Sequence, residues 1–120
     1  MTLATIRLEL ARNPGFPDGS ADHGYELHAP LTADGHLDLD AYPALRKRCT
    51  VRRFWAGHEE HGVLHRTANH AWAFSYAEGE DDDEAIFKLE QHRFVPGDYV
   101  TIKEHDGGAM TFKVTQVRVG

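Results

Sequence analysis

The chain predicts a mainly β domain, a small barrel-like or strongly curved antiparallel sheet of about seven or eight strands with one short helix near residues 40–48. Three observations carry this. Short segments alternating apolar and polar residues recur along the chain, clusters of Gly, Pro, Asn and Asp separate them, and the last segment slips phase partway along.

Residues 2–12 place Ile6, Leu8 and Leu10 on one face and Thr5, Arg7 and Glu9 on the other, the pattern of a half-buried strand. Residues 13–24 hold two prolines and three glycines and predict a long loop. A second strand follows through Tyr25, Leu27 and Ala29, and Ala33-Asp34-Gly35 turns the chain. Asp40 is the expected helix N-cap, Pro43 is tolerated only in the first turn, and Arg46, Lys47 and Arg48 suit the negative end of the helix dipole.

Strands are then expected at Thr50–Trp55, Gly62–Thr67, Ala71–Tyr76 and Ala85–Glu90. Pro96-Gly97 suits the centre of a turn, because proline presets φ and glycine permits a positive one. Val100 and Ile102 face inward after it, and Asp106-Gly107-Gly108 closes a hairpin. Phe112 and Val114 resume the apolar face, but the next apolar residues are Val117 and Val119, so a β-bulge is expected near Thr115-Gln116. Bulged, twisted hairpins curl a sheet toward a barrel.

At 120 residues the chain predicts a single domain, 1–120, large enough to bury a core without metals or disulfides. Cys49 is alone and reads as a small buried hydrophobe. No charged-then-apolar leader and no apolar run near the ~20 residues of a membrane helix is visible, so the cytoplasm is the expected location. A net charge of −6 makes nucleic acid an unfavoured partner.

Charge distribution says more than its sum. Arg46, Lys47, Arg48, Arg52 and Arg53 cluster with no acid among them, while six acids crowd residues 78–84. With Trp55 beside them, Arg46, Lys47, Arg52 and Arg53 form the candidate contact surface for a protein or small anionic ligand, provided the two blocks stay apart.

Nine histidines include His58, His61, His65 and His70. His58 and His61 are the candidate ligands of zinc or another divalent transition metal if they lie in a turn, with His65 or His70 as further members. If residues 61–67 are extended, His61 and His65 lie about 13 Å apart and cannot share one ion. Trp72, Phe74 and Tyr76 alternate with small residues and read first as core, second as a stacking platform for bases. Asp18, Asp22 and His23 offer an acid–base set, but no nucleophile elbow, phosphate loop or dinucleotide fingerprint accompanies them.

Three phrases, His23-Gly24-Tyr25-Glu26-Leu27 leading to Ala29-Pro30-Leu31, Cys49-Thr50-Val51-Arg52-Arg53-Phe54-Trp55, and Phe94-Val95-Pro96-Gly97-Asp98-Tyr99-Val100, resemble a group of short bacterial proteins of uncharacterised function. The resemblance spans most of the chain. It implies a self-contained domain and carries no activity, cofactor or catalytic residue. The expectation is therefore a non-catalytic binding or interaction module without a cofactor. A histidine-dependent metal protein or small metal enzyme is the alternative, and a nucleic-acid-binding barrel is the third reading.

Overall fold

Alternating side chains give Leu3–Leu10, Ser20–Pro30, Tyr99–Lys103 and Ala109–Val119 one apolar face each, and the sheet hides that face by curling until its first and last strands meet. The computed structural model describes residues 3–66, 72–75, 84–86, 93–103 and 109–119. Its strands are β1 (Leu3–Leu10), β2 (Ser20–Pro30), β3 (Thr50–Trp55), β4 (His58–Arg66), β5 (Trp72–Ser75), β6 (Glu84–Ile86), β7 (Tyr99–Lys103) and β8 (Ala109–Val119). Each pairs antiparallel with the next in sequence, and β8 returns to pair with β1, closing the barrel. Among the described residues β6 meets β7 through Ala85 opposite Lys103 and Ile86 opposite Ile102.

The interior is filled. Ile6, Leu8, Leu10, Trp72, Phe74, Val100, Ile102, Phe112 and Val114, all expected to face inward, are buried. Tyr25 packs its ring 5.1 Å from both Phe74 and Phe112, a tilted and an edge-on contact of the kind aromatic rings favour. The burial of Trp72 and Phe74 removes the stacking-platform reading for those two rings; Tyr76 lies outside the described residues.

The expected bulge is present. Arg7 pairs with Gln116 and Leu8 with Val114, so Thr115 is skipped, and its hydroxyl donates to the Arg7 carbonyl at 3.4 Å. The turn at Val95-Pro96-Gly97-Asp98 also forms, with Asp98 N–H donating to Val95 O at 3.1 Å and Gly97 at φ 99°. The hairpin turn expected at Asp106-Gly107-Gly108 and the acidic run over residues 78–83 lie outside the described residues.

Two boundaries differ from expectation. β4 begins at His58, not Gly62, because Ala56 (φ 51°) and Gly57 (φ 93°) make a two-residue turn with both central residues left-handed, which lets β3 fold straight back on itself. β2 likewise begins at Ser20, which confines the long loop to residues 11–19.

The helix is shorter than expected, Tyr42–Leu45 followed by a 3-10 turn at Arg46–Arg48, and Asp40 does not cap it. Asp38 does the capping instead. Its Oδ1 accepts from the N–H groups of Asp40 and Ala41 at 3.1 Å, and its carbonyl accepts from Tyr42 N–H at 3.0 Å. The helix therefore begins one residue later than expected, with Ala41 at its N-cap position and Asp40 a donor within the Asp38 turn.

This helical segment closes one end of the barrel. Tyr42 donates its hydroxyl to Leu64 O at 2.8 Å and sets its ring edge-on to Trp72 at 4.8 Å, and Leu37 and Phe94 are buried with them. Cys49 is buried as expected, and its thiol donates to Leu45 O at 3.4 Å. Burial pushes its pKa up to about 11, so the thiol stays protonated and non-nucleophilic at neutral pH. In the neighbouring turn Asp34 is held down to about 2 by hydrogen bonds from Thr32 and His36.

Candidate functional site

Outward positions on the curled sheet form rows across the strands, and the register determines which side chains meet. One row runs Arg7, Glu26, Arg52, His61 over β1 to β4. Its charges are answered in place: Arg7 pairs with Glu9 at 2.8 Å and reaches Glu26 at 3.9 Å, Arg52 pairs with Glu59 at 2.9 Å and Glu26 at 3.6 Å, and His61 lies 3.4 Å from Glu59. The next row runs Tyr99, Lys113, Glu9, Gly24, Phe54, Glu59 across six strands from β7 to β4. Gly24 leaves a gap there into which Phe54 lays its ring. A Cβ at that position would overlap the Leu8 carbonyl and stand 3.0 Å from Phe54 Cζ. The Arg7 and Arg52 guanidinium groups cover the ring at 4.5 and 5.2 Å, so Phe54 is buried although it faces outward.

Alternation also splits the expected contact surface. Arg52 faces outward and Arg53 inward, since consecutive strand residues point to opposite faces. Arg53 is only 6% exposed; it stacks 4.3 Å from the Trp55 ring and donates to Glu60 Oε1 at 3.3 Å. Arg46 and Lys47 are exposed, but they precede β3 at the helix-closed end, about 17 Å along the strand from Trp55. The five residues do not form one basic patch, and two of the four cations are already neutralised. The acidic partners among the described residues, Glu26, Glu59 and Glu60, come from neighbouring strands, and the run at residues 78–83 lies outside the described residues.

The candidate metal pair is separated as well. His58 and His61 both lie in β4, three residues apart and hence on opposite faces, not in a turn. Among the described residues no group of three or more His, Cys, Asp or Glu side chains is arranged to hold an ion. His65 shares the His61 face at the distance the strand imposes, and His70 lies outside the described residues.

The loop at residues 11–19 shapes the other end of the barrel. Asn13 and Phe16 exchange both backbone hydrogen bonds around Pro14-Gly15, and Gly19 N–H donates to Phe16 O, so two turns follow one another. Asn13 then extends the sheet with its own side chain, donating to Thr111 O at 2.9 Å and accepting from Thr111 N–H at 3.1 Å. Phe16 caps the mouth edge-on to His23 (5.1 Å) and Trp55 (6.4 Å), and His23 Nδ1 lies 2.7 Å from Ser20 Oγ. Asp18 and Asp22 are exposed elsewhere on the loop and strand, so the acid–base set does not converge on His23.

Outside the barrel, that loop walls a cleft of about 800 Å³ whose floor is β8 with the edges of β1 and β7. Tyr99, Lys113, Thr111, Glu9, Asp18 and Arg12 line it. Tyr99 is 56% exposed, the most exposed large ring among the described residues. Neither its hydroxyl nor the Lys113 ammonium nor the Asp18 carboxylate has a side-chain partner among the described residues, while Arg12 is anchored by Nε donating to Pro17 O at 3.0 Å. Alternation placed Tyr99 and Thr101 together on the polar face of β7. The missing information was the register that sets Lys113 and Glu9 beside them.

Comparison of the chain with protein-family models, with curated proteins and with solved structures finds no match.

Proposed function

We propose that the chain is a non-catalytic binding module whose contact surface is the outer cleft between the 11–19 loop and β7–β8. The observation that carries this reading is the convergence on one concave surface of Tyr99, Lys113 and Asp18, none of which has a side-chain partner among the described residues. Departures from local pairing concentrate where a protein keeps groups for a ligand. Among the described residues the aromatic core fills the interior, and the charges on the β1–β4 wall are paired. Among the described residues no helix is long and apolar enough to cross a membrane; we place the module in the cytoplasm, where a lone buried thiol stays reduced.

The test is amide chemical-shift mapping of the labelled chain against a mixture of small polar compounds. Perturbations should centre on residues 99, 111–115, 12 and 18. Perturbations centred on Glu26, Arg52 and Glu59 would move the site to the paired wall and defeat the reading.

A further inference from the structure

We propose that the occupant of this cleft is a neutral saccharide, a deduction that rests on the cleft being the binding surface. Charge is the first argument. Arg12 and Lys113 stand beside Asp18 and beside Glu9, whose carboxylate Arg7 already holds at 2.8 Å, so donors and acceptors of both signs line the cleft. A phosphate or carboxylate ligand meets the two acids, and a cationic ligand meets the two bases. An apolar ligand finds Tyr99, Pro17, Ala11 and Ala21 but would strip water from the charged groups beside them without replacing their hydrogen bonds. A neutral ring bearing several hydroxyls escapes all three penalties, because each hydroxyl both donates and accepts.

Shape is the second argument. The Tyr99 ring stands exposed at the edge of an open cleft, free to stack against the C–H face of a pyranose. Asp18 and Glu9 then accept from ring hydroxyls, Lys113 and Arg12 donate to them, the Thr111 hydroxyl does either, and the Thr115 hydroxyl, which already donates to Arg7 O, accepts. The donors are held by the fold: Arg12 is fixed to Pro17 O, Lys113 sits on a strand paired on both sides, and Thr111 is clamped by Asn13. Preorganisation of this kind lowers the ordering cost that otherwise weakens binding to exposed polar surfaces.

The experiment screens the full chain on an immobilised glycan array, then titrates labelled protein with maltotriose, cellotriose and chitotriose, using glucose 6-phosphate and AMP as charged comparators. We expect at least one neutral glycan to bind with shifts at Thr111, Lys113 and Thr115. Tyr99→Ala should weaken that binding at least tenfold, and Arg52→Ala should leave it unchanged. Shifts in the cleft from the charged compounds but from no neutral glycan would overturn the saccharide while leaving the cleft as the binding surface. Absence of cleft shifts from every compound and every arrayed glycan would overturn both.

Discussion

Two stretches of the same outer wall are built by the same alternation and differ in what their polar side chains do. Over β1–β4, Arg7, Glu9, Glu26, Arg52, Glu59 and His61 answer one another across the strands, and the two arginines cover Phe54 over the gap at Gly24. Over β7–β8, Tyr99 and Lys113 stand side by side in the same row with no side-chain partner among the described residues, facing Asp18 across a cleft. The difference teaches that exposure alone does not mark a site. Arg52 and Tyr99 both face solvent, but one is committed to its neighbours and the other is not.

The largest effect should come from beneath both walls. Phe112 is fully buried between Thr111 and Lys113, so Phe112→Ala should cost about 3–5 kcal/mol in urea unfolding and take cleft binding with it. A loss under about 1 kcal/mol would show that the filled interior does not hold the cleft floor in place.

Gly24→Ala should cost about 1–3 kcal/mol, because the added methyl meets the Leu8 backbone, which a side-chain rotation cannot relieve. Displacement of Phe54 should appear as shifts confined to the Arg7 and Arg52 wall. If the cleft residues shifted equally, the two walls would be one mechanical unit and the contrast between them would fail.

Much of the frame was legible in the chain. The alternation at Ile6, Leu8 and Leu10, the turn at Pro96-Gly97 and the phase slip that became the Thr115 bulge are local effects, so residues close in sequence carry them. The start of β4 was not legible. His58-Glu59-Glu60-His61 is polar on both faces, because its inward positions lie at the wet mouth of the barrel, where Glu60 meets Arg53. The helix start was also misplaced: the Asp38 side chain takes the N–H groups of Asp40 and Ala41, a local turn that competes with an Asp40 cap.

The site was the least legible part. A run of basic residues looked like one surface, although the strand expected there already implied that Arg52 and Arg53 part company. Their carboxylate partners depend on cross-strand register, and so does the meeting of Tyr99, Lys113 and Glu9, which are distant in sequence. Register is a tertiary property, set by turns and bulges together.

A smaller effect is expected on the paired wall. Arg52→Ala should cost at most about 1 kcal/mol, shrinking as salt is added, since its ion pairs are partly exposed and screened. Thermal unfolding at low and high salt checks this. A loss well above that, insensitive to salt, would mean that the cover over Phe54 matters more than the charges.

The most direct test of the division between a structural wall and a binding wall is urea unfolding of the Tyr99→Thr, Lys113→Thr double variant. Threonine suits an exposed strand position, and neither original side chain has a partner among the described residues, so stability should stay within about 0.5 kcal/mol of the parent, with an unchanged urea dependence. A loss of about 2 kcal/mol or more would show that Tyr99 and Lys113 hold the barrel together, and would contradict their assignment to a ligand.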